Sequence, residues 1–94
     1  MNTVDINYNQ YVITTRFVIS DGSMISRVIH DDEGDWQFLG SEQEIHKSDA
    51  IVLSLSEILE HDPTLENIIN LPTRKQAFRT SIKSPWEICD YEEE

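Results

Sequence analysis

The chain has 94 residues, a mass of 10.9 kDa and a formal charge of −11, from 18 acidic and seven basic side chains. That length accommodates one small domain and excludes a second domain or a large cofactor-binding fold. The charge argues against a nucleic-acid or anionic-membrane binder, because both targets require cationic surface.

Valine, isoleucine, leucine and phenylalanine together make 26 of the 94 residues. This exceeds the share typical of disordered chains, so a folded core is expected over residues 1–94, with 1–8 and 90–94 as frayed ends. A single cysteine, Cys89, excludes an internal disulfide framework and a zinc site built on several cysteines. The start Met1-Asn2-Thr3-Val4 has neither the basic nor the apolar region of a secretory signal, and the longest apolar run is Ala50-Ile51-Val52-Leu53. A cytoplasmic protein with a reduced thiol is the expectation.

From Tyr11 to Ile19 the odd positions carry Tyr, Ile, Thr, Phe and Ile, the alternation of a half-buried strand. Asp21-Gly22 supplies a turn, and Met24 to His30 resumes a β-rich run, so the pattern predicts a hairpin over 11–30. A two-residue loop would oppose Arg16 to Arg27. A three-residue loop with Gly22 as a left-handed bulge instead pairs Phe17 with Ile25 and Ile13 with Ile29, and is preferred. Asp31-Asp32-Glu33-Gly34-Asp35 reads as a turn, followed by a strand over 36–39 with Trp36 and Phe38 on one face. Residues 50–55 predict a more central strand by their continuous apolar character.

Helical signals follow. Ser54 with Glu57 fits a capping box, and Asp62-Pro63 marks a restart with Pro at the first helical position. Leu65, Ile68 and Ile69 share one helical face, giving a broken helix over about 56–70. A strand over 76–82 completes the reading, and Trp86 and Ile88 are expected to pack back before the tail. The fold class is α+β: an antiparallel sheet of about five strands with the broken helix on one face.

No chemistry-bearing motif dominates. His30, His46, His61 and Cys89 are zinc-ligand types without ligand spacing, and no serine lies in a nucleophile elbow. No cofactor, metal or catalytic residue is assigned. Residues 74–83 carry four bases and no acid, whereas 84–94 carry five acids and no base. The basic stretch is expected to pair with the acidic tail or the helix, or else to hold an anionic group. Asp31, Asp32, Glu33 and Asp35 are the candidate partner-binding acids. Trp36 joins them if exposed, although burial in the core is the expected use of both Trp36 and Trp86.

Gly34-Asp35-Trp36-Gln37-Phe38-Leu39-Gly40 resembles the G-[DW]-W-x-F-x-x-G signature of a group of small bacterial proteins of unknown function. Leu55-Ser56-Glu57-Ile58, Asp62-Pro63-Thr64-Leu65, Leu71-Pro72, Ala77-Phe78-Arg79 and Trp86 resemble that group's later segments, so the likeness covers roughly residues 12–86. The region around Trp36 is also similar to an SGW-x-F-x-x-G segment in families that include immunity proteins of bacterial toxin systems. Here the chain departs from them, with Asp35 in place of Gly or Ser. The first resemblance implies no activity; the second implies a protein that binds another protein.

The leading expectation is therefore a small acidic, non-enzymatic protein that binds a basic protein partner, such as a toxin, as an immunity or inhibitor protein does. One alternative is a small-ligand or enzymatic domain with a pocket between sheet and helix, using Trp36 as a wall and His30 or Arg79 as anchor. Another is a homodimer paired through the Met24–Ile29 edge.

Overall fold

A computed structural model of the chain describes residues 6–92. Among the described residues, six strands run as β1 (Tyr11–Thr15), β2 (Arg27–His30), β3 (Trp36–Leu39), β4 (Ala50–Ser54), β5 (Lys75–Phe78) and β6 (Glu87–Asp90). They form one sheet of order β4-β1-β3-β2-β5-β6. All neighbours are antiparallel except β1 and β3, which run parallel with Ile13 opposite Gln37. Two helices, α1 (Arg16–Ile19) and α2 (Leu55–His61), and a 3₁₀ segment at Pro63–Asn67 accompany the sheet.

The α+β class stands, with corrections to the sheet. It has six strands and is mixed rather than purely antiparallel. The 11–30 hairpin does not form, because β3 lies between β1 and β2. Neither expected pair is made: Ile29 faces Gln37, and Ile13 faces Gln37 and Val52. After Thr15 the chain turns into α1, with the Thr15 hydroxyl capping the Val18 amide at 3.4 Å. In β1 the buried positions are Val12, Thr14 and Thr15; Tyr11 and Ile13, on the face expected to be covered, are 78% and 38% exposed.

Residues 50–54 form an edge strand rather than a central one, with Val52 62% exposed. The last basic strand ends at Phe78 instead of Ile82, because Arg79 turns into the interior. The sixth strand occupies Glu87–Asp90, where packing-back and then a frayed tail were expected. Ile88 and Cys89 are both exposed, and Trp86 is half-buried against the core. Of the expected frayed ends, residues 1–5 and 93–94 lie outside the described residues, while Gln10 donates to the Asn7 carbonyl in a turn.

The helical signals are realised in part: α2 forms the first half, but the second is a 3₁₀ segment that ends at Asn67, so Ile68 and Ile69 lie in the turn beyond it and not on a helical face reaching residue 70. The Ser54 hydroxyl accepts from the Glu57 amide while the Glu57 carboxylate accepts from the Ser54 amide, so both halves of the capping box are made. Asp62 ends α2 and caps the 3₁₀ segment through the Thr64 amide, with Pro63 first in that segment. Trp36 and Phe38 sit on the covered face with Val12, Val28 and Ala77. Leu55, Ile58, Leu65 and Ile68 cover them, forming one core. Among the described residues, no helix is long and apolar enough to cross a membrane.

Candidate functional site

The acidic turn is built by one of its own acids. Asp31 is only 7% exposed, and its Oδ1 accepts the Glu33 amide at 3.0 Å and the Asp35 amide at 2.9 Å. Gly34, at φ 88°, lets the chain reverse so that the Asp31 amide reaches the Asp35 carbonyl. Asp31 is thereby committed to shaping the turn, and Asp32, Glu33 and Asp35 are left exposed. Trp36 is 4% exposed, stacked on His30 at a centroid distance of 3.9 Å, so its place is in the core.

The chain order hid which residues join this turn. Asp32 lines a cleft of about 620 Å³ together with Arg74, Lys75, Asp90, Tyr91 and Glu92. Lys75 and Asp90 form an ion pair across the β5–β6 ladder, which holds the Asp90 carboxyl below the usual carboxylate range. This realises the expected pairing of basic stretch with acidic tail. Arg74, in the turn just before β5, has a left-handed φ of 65°. Its amide donates to the His30 carbonyl at 2.7 Å and its carbonyl accepts from Tyr91 at 2.9 Å, which fixes the unusual conformation between two neighbouring strands. The signal available in the sequence was the switch from a basic to an acidic block at residue 84.

Arg79 lies elsewhere. Its guanidinium donates to the Ile25 carbonyl, the Thr64 hydroxyl and Asp62 Oδ2, each at 2.8 Å, and stacks over Trp86 at 4.4 Å. Each of the three guanidinium nitrogens thus makes one hydrogen bond, a structural clamp between the end of β5, the loop before β2 and the helical junction. Arg79 borders a second cleft of about 530 Å³, shared with Ile68, Ile82, Trp86 and Ile88.

A third cleft of about 360 Å³ opens between the sheet and the helical segments, bordered by Trp36, His30, Leu55 and Ile69. The His30 Nδ1 donates to the Leu71 carbonyl at 2.7 Å, which fixes the orientation of the ring. His30 and Arg79 border different clefts, so the two proposed anchors do not converge. Among the described residues, no group of three His, Cys, Asp or Glu side chains is placed to hold a metal ion.

In comparisons with known proteins, the chain matches no family model, no curated protein and no solved structure.

Proposed function

We propose that this chain is a small acidic protein-binding domain that meets a basic protein surface, in the manner of an immunity or inhibitor protein. The observation that carries this reading is the acid-rimmed end of the sheet. Asp32, Glu33 and Asp35 project from the β2–β3 turn, and Asp90 and Glu92 stand on the cleft that Asp32 borders. Of these five, only Asp90 takes part in an ion pair among the described residues. Clustered exposed carboxylates repel one another, and a cationic partner relieves that repulsion while being steered by it. The −11 charge extends the same field over the whole molecule. The resemblance around Trp36 points to the same class.

The test is an association rate. A basic protein that copurifies with the chain is identified by mass spectrometry and then mixed with wild type and with the triple variant Asp32→Lys, Glu33→Lys, Asp35→Lys. At low ionic strength the variant should associate at least about tenfold more slowly, with a shallower salt dependence. An unchanged rate removes this surface from the interface.

The third cleft supports a second reading, a small-ligand site with Trp36 as wall and His30 as polar anchor. A fragment screen read by Trp fluorescence and by the His30 ring resonances separates the two. Ligands that perturb His30 and leave the acidic turn untouched favour this alternative.

A further inference from the structure

The two edges of the sheet differ in what their outward backbone groups do. The Leu55 amide donates to the Gln10 carbonyl, continuing the β4–β1 ladder, so residues 51, 53 and 55 point their backbone groups at β1. Ala50, Val52 and Ser54 therefore point outward. The Ala50 amide is taken by the Lys47 carbonyl, and the Ser54 amide by the Glu57 carboxylate. Only the Val52 amide is left, so the β4 edge is closed at both ends. The Met24–Ile29 segment considered for homodimer pairing is no edge at all, since β2 lies between β3 and β5.

The β6 edge is different. The Tyr91 amide donates to the Arg74 carbonyl, so residues 87, 89 and 91 face β5, and Ile88 and Asp90 point outward. Neither outward amide meets an acceptor among the described residues, the Ile88 carbonyl is likewise unengaged there while the Asp90 carbonyl accepts from Gln76 Nε2 at 3.0 Å, and all four side chains of the strand are exposed. Ile88 shares a face with buried Ala77 and borders the second cleft, where Ile82 is 50% exposed and Ile88 56%. On the opposite face stands Glu87, and Glu92 follows the strand. Residues 84–94 contain five acids and no base.

We propose that the β6 edge takes an extended segment of the basic partner as a seventh strand. Its backbone pairs with the amide and carbonyl of Ile88 and with the Asp90 amide, its apolar side chains lie on Ile82 and Ile88, and its basic side chains meet Glu87 and Glu92. Main-chain pairing supplies the affinity of such strand addition, and alternate side chains supply its specificity. The proposal rests on the partner being basic, and adds how the partner is held.

The probe is a synthetic eight-residue peptide of alternating Lys and Val, titrated into the isotope-labelled full chain at low salt. A second peptide of the same sequence is N-methylated on alternate residues, which keeps its charge and removes its pairing edge. The expected result is saturable binding of the first peptide, at least tenfold slower amide exchange at Ile88 and Asp90, and at least about tenfold weaker binding of the second. Ile88→Pro removes an outward amide that the ladder does not use, so it should fold and bind the first peptide at least about tenfold more weakly. If both peptides bind equally, with shifts confined to Asp32, Glu33 and Asp35, strand addition is overturned and the electrostatic reading survives. If neither binds, both readings fail. Concentration-dependent light scattering with protection at β6 and no peptide present would make the occupant a second copy and overturn the proposal.

Discussion

Arg79 donates to Asp62 across 2.8 Å, with the two side chains 1% and 9% exposed. A buried ion pair is costly to break from one side, because the survivor is left charged without its partner. Arg79→Met should lower unfolding stability by about 3–5 kcal/mol, and Asp62→Asn by a similar amount. The double variant should lose less than the sum of the two. Urea denaturation of the four proteins measures the difference, and simple additivity would mean that the contact contributes no coupling.

Trp36 stacks on half-buried His30 at 3.9 Å and lies 5.8 Å from the Phe38 ring, with both Trp36 and Phe38 in the core. Trp36→Ala should cost about 3–5 kcal/mol with no partner present. Trp36→Phe should cost less, since it keeps a ring against His30. Thermal unfolding followed by circular dichroism tests both, and an Ala variant as stable as wild type would contradict the buried placement.

The reach of sequence reading tracks the range of each signal. The capping box at Ser54 and Glu57, the restart at Asp62-Pro63 and the shared face of Trp36 and Phe38 depend on neighbours a few residues apart, and all three are realised. Strand order depends on distant partners. The alternation through Tyr11–Ile19 concealed that Thr15 caps a four-residue helix, and that Val12 and Thr14, rather than Tyr11 and Ile13, face inward. Val52 looked central because it is apolar, yet an edge strand also exposes one apolar face. In the acidic turn the exposed carboxylates were legible, whereas the inward rotation of Asp31 required the geometry of the reversal. Arg79 read as one residue of an alternating strand, and nothing local marked it as buried.

Asp49 provides an acid-sensitive joint. The His46 amide and then the Arg16 guanidinium, at 2.7 Å, hold its carboxyl below the ordinary value. Glu57 is lowered by the Ser54 amide and hydroxyl. A carboxyl whose folded pKa is depressed adds stability that is fully present above its unfolded pKa and is lost as pH falls through the folded value. Stability should thus be level above about pH 5 and decline on acidification below about pH 4. Asp49→Asn should flatten that decline. Urea midpoints measured across this range check the sign.

Arg74 holds a left-handed backbone that favours glycine. Arg74→Gly should therefore fold with unchanged or slightly higher stability. Arg74→Val should lose about 1–2 kcal/mol, because branching at Cβ is poorly tolerated there. Differential scanning calorimetry of the pair distinguishes backbone strain from loss of charge, which both variants share.

The insertion of β3 between β1 and β2 sets a problem of timing during synthesis. Tyr11–Thr15 and Arg27–His30 leave the ribosome before Trp36–Leu39, the strand that must separate them. Until it arrives, the same alternation that predicts a hairpin over this stretch offers the nascent chain a ready decoy, with Ile13 against Ile29. The β2–β3 reversal shaped by Asp31 is local and needs little loop closure, and the strand it brings back is the one that β1 meets in parallel. The tight acidic turn is thus the short-range link on which the long-range order of the sheet hangs.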